Sequence, residues 1–180
     1  MNLPNKLTML RVILVPVFMV FAAYSRYGTA DFNPTFALIA GIIFAVASFT
    51  DFLDGYLARK NNLVTDFGKF ADPLADKCLV MAALCWFVET GDMMGWVLAA
   101  VLLREFAVSG MRLIAVEKGR VIAAGWSGKV KTASTMVCIC LILFGIPHWL
   151  NLVCQGVILV TTVYSGVEYF VKNWDVFSEK

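Results

Sequence analysis

Long apolar segments dominate this chain of 180 residues, and they limit what it can fold into. Hydrophobic residues make up 60% of the sequence and charged residues only 16%, whereas a soluble domain is about half apolar and a quarter charged. A helix needs roughly 20 residues to cross the hydrocarbon core of a bilayer. Six segments approach or exceed that length: 7–24, 35–57, 73–90, 94–116, 131–147 and 149–171. The sequence therefore predicts an all-α, polytopic membrane protein, a six-transmembrane-helix bundle that forms a single domain over residues 1–180.

The lysines and arginines predict how this bundle is oriented. The chain has 15 of them. If the predicted spans alternate in direction, all but Arg26, Arg104 and Arg112 fall on the side that holds both chain ends. Loops rich in lysine and arginine stay in the cytoplasm, so we expect cytoplasmic termini. The formal net charge of +2 is too small to indicate a nucleic-acid partner.

Four aspartates lie where the second and third predicted spans approach the cytoplasm. Asp51 and Asp54 are three residues apart at the end of the second span, and Asp72 and Asp76 are four residues apart at the start of the third. Residues with these spacings share one face of a helix. The loop 59–71 is short enough to bring the two helix ends together. We expect the four carboxylates to converge in a polar cavity at the cytoplasmic side of the bundle.

Carboxylates this close repel each other unless positive charge offsets them. One source of that charge is the set of basic side chains Arg59, Lys60 and Lys69. The other is a pair of divalent metal ions, and ligation by oxygen alone suits Mg²⁺ or Mn²⁺. Two such ions can hold a diphosphate and promote displacement at phosphorus.

Simpler structural roles compete for some of these residues. Asp72 precedes Pro73, which is the order expected of an N-cap residue followed by proline in the first turn. Capping does not explain the two aspartates at the end of the second span, where the helix dipole disfavours anions. Gly55 and Ala58 lack bulk beside these aspartates, which fits close approach of a ligand and tight helix packing equally well.

The spacing of these residues resembles the signature of a known family. It reads Asp51-x2-Asp54-Gly55-x2-Ala58-Arg59-x8-Gly68-x3-Asp72-x3-Asp76. Every fixed position of this pattern matches the motif of the CDP-alcohol phosphatidyltransferases. Four further segments resemble that family: "PNKLTMLR" (4–11), "LREF" (103–106), "SGMRL" (109–113) and "GKVKT" (128–132). The six predicted spans also resemble the layout of its members.

The resemblance implies a reaction, its partners and a location. A phosphatidyl group passes from CDP-diacylglycerol to sn-glycerol 3-phosphate, which gives phosphatidylglycerol phosphate and CMP. The implied protein is a homodimer in the inner, cytoplasmic membrane of a bacterial cell. Its active site faces the cytoplasm.

The resemblance also assigns residues to the donor side of this reaction. Asp51, Asp54 and Asp72 are implied ligands of two Mg²⁺ or Mn²⁺ ions. Asp76 is an implied ligand that also takes the proton from the attacking hydroxyl as the general base. The residues implied to contact the CDP part of the donor are Asn5, Thr8, Gly55, Ala58, Arg59 and Thr65.

Arginines inside the fourth predicted span indicate an acceptor site. Arg104 lies deep in the span, and Arg112 follows about 12 Å along a helix on nearly the same face. An arginine at that depth is costly and suggests a function. With Lys129 and Lys131, the two arginines are predicted to bind the acceptor's phosphate. The alternatives are helix anchoring and an internal ion pair with Glu105 or Glu168, although Arg104 and Glu105 are expected to pair poorly because neighbouring helical side chains point about 100° apart.

Two other functions use the same residues. The same chemistry with another acceptor, such as inositol phosphate, serine or a lipid alcohol, fits the aspartates equally well, but the arginines favour a phosphorylated acceptor. A cation transporter needs carboxylates near the bilayer midplane. The aspartates are predicted at one edge of the bundle, which disfavours transport.

Overall fold

A computed structural model of the chain describes residues 3–26, 33–60, 66–123 and 125–177. Side chains are described for a subset of these: 8–26, 33–50, 74–75, 77–123 and 125–177. Within the described ranges the chain forms six α-helices, one short 3₁₀ helix and no strand. The elements are α1 (Leu3–Arg26), α2 (Pro34–Lys60), α3 (Asp66–Glu89), α4 (Gly95–Glu117), α5 (Trp126–Leu143), α6 (His148–Lys172) and the 3₁₀ helix Trp174–Phe177. The prediction of an all-α fold is confirmed over these residues.

Each predicted span overlaps one of the six α-helices. Among the described residues, three helical stretches are long and apolar enough to cross a bilayer: Thr8–Arg26, Trp126–Leu143 and His148–Lys172. Pro34–Thr50 is a shorter apolar stretch. Helices of this length and hydrophobicity are typical of a membrane protein.

The chain falls into two compact units, and the first consists of Met1–Thr90 and Ile139–Ile146. In this unit α1 contacts both α2 and α3, and α2 contacts α3. Phe18 of α1 and Phe44 of α2 are fully buried, and their ring centroids lie 5.9 Å apart. Apolar packing of this kind holds α1 against α2, the helix that carries the first two aspartates.

The second unit consists of Gly91–Cys138 and Pro147–Lys180. Here α4 contacts α6, and both helices contact the 3₁₀ helix. Lys131 of α5 bonds to Glu105 of α4 at 2.8 Å, which ties α5 to the same unit. One buried apolar cluster combines residues of α4, α6 and the 3₁₀ helix: Val108, Met111, Ala115, Tyr169 and Val176.

The two helices that carry the aspartates are longer than predicted. Helix α2 continues to Lys60 and α3 begins at Asp66, so the predicted loop 59–71 is wrong. Asp72 lies inside α3, and its interpretation as an N-cap residue is therefore wrong as well. The fixed φ of proline is compatible with a helix, so Pro73 does not force α3 to begin there. An aspartate is also a favoured residue at a helix start, which suits Asp66.

Candidate active site

The aspartate motif lies on α2 and α3 of the first unit. Backbone positions put Asp51 and Asp54 near the C-terminal end of α2, and Asp72 and Asp76 in the N-terminal half of α3. Each pair therefore keeps the helical spacing that the sequence predicts for one face of a helix. The roughly two extra turns at the start of α3 leave this spacing unchanged.

Most of the predicted donor-side side chains lie outside the described part of the structure. They are Asp51, Asp54, Asp72, Asp76, Asn5, Gly55, Ala58, Arg59 and Thr65. Among the described residues, no group of three or more His, Cys, Asp or Glu side chains could hold a metal ion. The chemistry of the aspartate set suits Mg²⁺ or Mn²⁺, because carboxylates offer hard oxygen ligands. The metal centre stays a prediction.

Helix α1 contributes buried polar residues to the first unit. Thr8 is 1% exposed, and Arg11 is fully buried. They are three residues apart and share a face of α1. Thr8 is a predicted donor-side residue, whereas Arg11 entered the sequence argument as a positive charge that sets orientation and as the last residue of the segment 4–11 that resembles the family, without an assigned role. A buried arginine in an apolar helix is a functional candidate. The three-residue spacing between Thr8 and Arg11 is the sequence signal that could have identified it.

Arg104, Glu105 and Lys131 form one partly buried cluster in the second unit. Arg104 Nη1 donates to Glu105 Oε1 at 2.9 Å, and Lys131 Nζ donates to the same oxygen at 2.8 Å. The side chains of Arg104, Glu105 and Lys131 are 14%, 15% and 5% exposed. The expectation that Arg104 and Glu105 pair poorly is wrong, because the long arginine side chain bends across the angle between neighbouring positions. Two cations share one carboxylate, so the cluster carries a net positive charge.

Glycines on two neighbouring helices make room for Arg104. A Cβ atom at Gly166 of α6 would lie 3.3 Å from Arg104 Cγ, and one at Gly128 of α5 would lie 3.5 Å from Arg104 Nη2. The guanidinium therefore lies beside the first turn of α5, whose N–H groups lack intrahelical acceptors and favour an anion. Arg104 Nε is buried and has no hydrogen-bond partner among the described residues. This end of α5 is suited to bind a phosphate group.

Arg112 has a different partner. Its Nε donates to Tyr169 Oη at 3.1 Å, and its guanidinium carbon lies 5.5 Å from the centroid of the Tyr169 ring. The hydrogen bond and the cation–π contact together orient the guanidinium. Lys129 is exposed and two positions from the buried Lys131, which places the two lysines on roughly opposite sides of α5. Two of the four predicted acceptor residues, Arg104 and Lys131, come together on the Glu105 carboxylate. Arg112 and Lys129 lie apart from this cluster.

Glu105 and Tyr169 were not predicted as site residues. Glu105 is an acid inside an apolar span, and that signal was available in the sequence. Tyr169 is one of several aromatic residues near the end of α6, and it lies 57 residues from Arg112 in the chain. Nothing in the sequence pattern indicates that contact, which depends on how α6 packs against α4.

Two cavities border these residues. One, of about 420 Å³, is an apolar groove between α4 and α6 that Arg104 lines. The other, of about 270 Å³, has a mixed lining that includes the apolar Val121 and Ile122 and the polar Arg120, Ser127, Glu168 and Lys172. Ion pairs of Arg120 with Asp175 and of Lys172 with Glu168 neutralise charge at the second cavity. The groove suits an apolar chain.

The chain is similar to proteins of one family over most of its length. Residues 1–167 match the family model described as CDP-alcohol phosphatidyltransferase. A Bacillus subtilis (strain 168) protein named CDP-diacylglycerol–glycerol-3-phosphate 3-phosphatidyltransferase is 43% identical over 185 residues, which cover 97% of this chain and 96% of that protein. A protein of the same name from Rickettsia bellii (strain RML369-C) is 33% identical, with 94% of this chain and 93% of that protein covered. A Mycobacterium tuberculosis (strain ATCC 25618 / H37Rv) protein named "Probable phosphatidylglycerophosphate synthase" is 38% identical, with 95% of this chain and 81% of that protein covered.

Proposed function

The chain belongs to the CDP-alcohol phosphatidyltransferase family, and we propose that it transfers a phosphatidyl group from CDP-diacylglycerol to sn-glycerol 3-phosphate. The products are phosphatidylglycerol phosphate and CMP, so the protein is an enzyme of phospholipid biosynthesis. Relatives that match nearly the whole chain carry that activity in their names. In the reaction, a hydroxyl oxygen of the acceptor bonds to the phosphatidyl phosphorus, and the bond from that phosphorus to the CMP oxygen breaks.

The aspartates on α2 and α3 act at the diphosphate of the donor. Asp51, Asp54, Asp72 and Asp76 supply oxygen ligands for two Mg²⁺ or Mn²⁺ ions. Such ions, when bound, neutralise the diphosphate and the leaving phosphate of CMP. Asp76 also accepts the proton from the attacking hydroxyl oxygen, a step that a positioned carboxylate performs at neutral pH.

The nucleotide part of the donor is assigned to residues of α1, of α2 and of the segment after α2. These residues are Asn5, Thr8, Gly55, Ala58, Arg59 and Thr65. The burial of Thr8 supports an inward position for that hydroxyl. Arg59 offers a fixed positive charge to a phosphate of the donor.

The observation that carries the choice of acceptor is the partly buried cluster of Arg104, Glu105 and Lys131. Two cations and one carboxylate leave a net positive charge where solvent screening is weak, so an anion interacts strongly there. The N-terminus of α5 adds to the attraction. We assign the phosphate of glycerol 3-phosphate to Arg104 and Lys131, with Arg112 and Lys129 as flanking cations. An acceptor without a phosphate group leaves this charge unmatched.

We place the protein in the inner, cytoplasmic membrane of a bacterial cell. The proposed arrangement is a six-span bundle with both termini and the active site on the cytoplasmic side. The six described α-helices and the uneven distribution of lysine and arginine support it. The acyl chains of the donor stay in the lipid, while its nucleotide meets the water-soluble acceptor at the cytoplasmic surface. The homodimer expected from the family resemblance is proposed with it.

A second candidate acceptor is another phosphorylated alcohol, such as inositol phosphate. The same buried cations fit its phosphate, because charge-assisted hydrogen bonds to phosphate do not depend on the rest of the alcohol. The names of the relatives favour glycerol 3-phosphate over this alternative.

Kinetics on both substrates test the acceptor assignment. In the purified full-length protein, Arg104→Ala and Arg112→Ala should raise the KM for glycerol 3-phosphate and change the KM for CDP-diacylglycerol little. For Arg104, truncating one partner of a largely buried charged pair costs about 2–5 kcal/mol, which corresponds to roughly 30-fold or more in affinity. Arg112 is exposed, so a smaller rise is expected there. Lysine at either position should restore affinity only in part, because it keeps the charge but loses the planar fork.

The control for this experiment is Arg26→Ala, at the exposed end of α1. It should leave both KM values unchanged. If both arginine variants of the site melt at the temperature of the parent protein and keep its acceptor KM, the acceptor assignment is wrong.

A further inference from the structure

The partly buried carboxylate of Glu105 has no role in the proposed reaction, yet it contacts two of the residues assigned to the acceptor's phosphate. Glu105 Oε1 accepts hydrogen bonds from Arg104 Nη1 at 2.9 Å and from Lys131 Nζ at 2.8 Å. Arg104 and Glu105 lie on α4, whereas Lys131 lies on α5, 26 residues further along the chain. A single oxygen atom therefore fixes cations from two helices.

Glu105 must act through these cations rather than on the substrate. A carboxylate and a phosphate are both anions and repel each other. The two nitrogen atoms contact one oxygen and so lie within about 6 Å of each other, a separation at which like charges in a poorly solvated site repel strongly. The carboxylate offsets that repulsion. Without it, the two cations repel each other and are expected to move apart.

Both cations keep hydrogen-bond donors for a ligand after they bond to Glu105. A guanidinium has five N–H groups and an ammonium has three, and Glu105 accepts one from each side chain. Arg104 Nε is among the remaining donors, and it is buried with no hydrogen-bond partner within the described part of the chain. Gly166 of α6 leaves space for the same arginine, because a Cβ atom there would lie only 3.3 Å from Arg104 Cγ. The arginine thus pairs with Glu105 and fits beside α6 where a larger residue would crowd it.

We infer that Glu105 is a positioning residue for acceptor binding, whose carboxylate holds Arg104 and Lys131 in the arrangement that receives the acceptor's phosphate. Glu105 does not touch the substrate. The inference rests on the proposed function, because it requires that these two cations bind the phosphate of the acceptor. It predicts that the loss of Glu105 weakens acceptor binding selectively.

The test is steady-state kinetics of the purified full-length protein on each substrate. Glu105→Gln keeps the size of the side chain and its acceptor oxygen but removes the charge. The KM for glycerol 3-phosphate should rise roughly tenfold, the loss of about one charge-assisted hydrogen bond. The kcat and the KM for CDP-diacylglycerol should change little. Glu117→Gln is the matched control, because it makes the same substitution at an exposed position of α4.

A double-mutant cycle separates positioning from direct binding. In the Lys131→Met variant, Glu105 loses one of the two cations that it contacts. Glu105→Gln should therefore raise the acceptor KM by a clearly smaller factor there than in the parent protein. A residue that bound the substrate independently would give the same factor in both backgrounds.

An unchanged acceptor KM in Glu105→Gln overturns the inference, and so does a lowered one, which would mean that Glu105 competes with the phosphate. If Glu105→Gln does not accumulate as a folded protein, Glu105→Asp takes its place. It keeps the charge but is one methylene shorter, so the same selective rise is expected, and no rise overturns the inference.

Single substitutions of the cations report on the proposed function separately. If neither Arg104→Ala nor Lys131→Met raises the acceptor KM, the acceptor assignment itself fails. If they raise it and Glu105→Gln does not, the acceptor assignment stands and the positioning role of Glu105 fails.

Discussion

Gly166 of α6 controls the space available to Arg104. A Cβ atom at this position would lie 3.3 Å from Arg104 Cγ, so Gly166→Ala forces the arginine to shift by a few tenths of an ångström. We expect the KM for glycerol 3-phosphate to rise about threefold to tenfold, since small displacements of binding groups are costly. The melting temperature should not fall, because alanine favours a helix over glycine by roughly 0.5–1 kcal/mol.

Gly156→Ala is the matched control on the same helix. A Cβ atom at Gly156 would meet nothing within 4 Å. This variant should gain helix stability without any change in acceptor KM. Equal acceptor KM values for the two alanine variants would show that the position of Arg104 does not matter for binding.

The aspartates Asp51, Asp54 and Asp72 are expected to be essential for turnover. Each Asn replacement should abolish activity and leave a folded, detergent-stable protein, because an amide is a much weaker ligand for a hard divalent cation than a carboxylate. Excess EDTA should have the same effect, and Mg²⁺ or Mn²⁺ should reverse it. Activity is measured as CMP release, and folding by thermal melting. Full activity in excess chelator contradicts the metal centre.

Asp76 is expected to differ from the other aspartates because it also accepts a proton. Asp76→Asn should reduce kcat severely, by about 10²- to 10⁴-fold, the usual contribution of a positioned base. Donor affinity, measured by CDP-diacylglycerol binding, should fall less than in Asp54→Asn. Equal losses of donor affinity in both variants would mean that Asp76 acts mainly as a ligand.

Single residues could be predicted only as far as helical spacing determines their positions. The depth of Arg104 in an apolar span indicates a function, and the structure places it in a partly buried charged cluster. Spacing predicts a poor contact between Arg104 and Glu105, because it gives the direction in which a side chain leaves the helix and not where a long side chain ends. The contribution of Lys131 through the same carboxylate depends on how α5 packs against α4, which no local pattern contains.

Side chains of α6 form hydrogen bonds with the backbone of the connection between α3 and α4. Gln155 Nε2 and Asn151 Nδ2 both donate to the carbonyl oxygen of Asp92, at 3.1 and 2.8 Å, and Gln155 Oε1 accepts from the backbone N–H of Met94 at 3.0 Å. Gln155→Ala should cost about 0.5–1.5 kcal/mol, because it removes the partner of the Met94 N–H and one of the two donors to the Asp92 carbonyl oxygen. The melting temperature in detergent should fall by several degrees, at roughly 2–4 °C per kcal/mol.

Val153→Ala, at an exposed position of the same helix, is the control and should change the melting temperature little. A melting temperature in Gln155→Ala equal to that of the control would show that the turn does not depend on this residue.

Helix ends were predicted less well than helix positions. The sequence suggested that α3 begins at Pro73, yet it begins at Asp66, because proline permits a helix on its N-terminal side at a cost that the surrounding structure can offset. Helix α5 ends at Leu143, before the predicted end of its span, where Gly145 adopts a positive φ of 76° and Pro147 follows. Both differences concern residues whose conformation depends on neighbours as well as on local preference.

At the scale of the whole molecule, hydropathy is enough to predict an all-α membrane protein. Each predicted span corresponds to an α-helix, and three helical stretches of the described residues meet the length and apolarity of a membrane crossing. Six crossings and cytoplasmic termini stay predictions, since α4 carries Arg104, Glu105 and Arg112 and depends on internal partners to lie in lipid. The aspartate motif predicts the family because its spacing is local, whereas the acceptor site depends on contacts between distant helices.

The most direct test of the account is a transfer assay with the purified protein, CDP-diacylglycerol and radiolabelled acceptors, in Mg²⁺ or Mn²⁺. Glycerol 3-phosphate should carry label into the lipid phase with release of an equal amount of CMP. Glycerol offers similar hydroxyl groups without the phosphate and should transfer little, because the buried cations then have no anion to bind. Release of CMP without labelled lipid, or better transfer to glycerol, serine or inositol phosphate than to glycerol 3-phosphate, would contradict the proposed reaction.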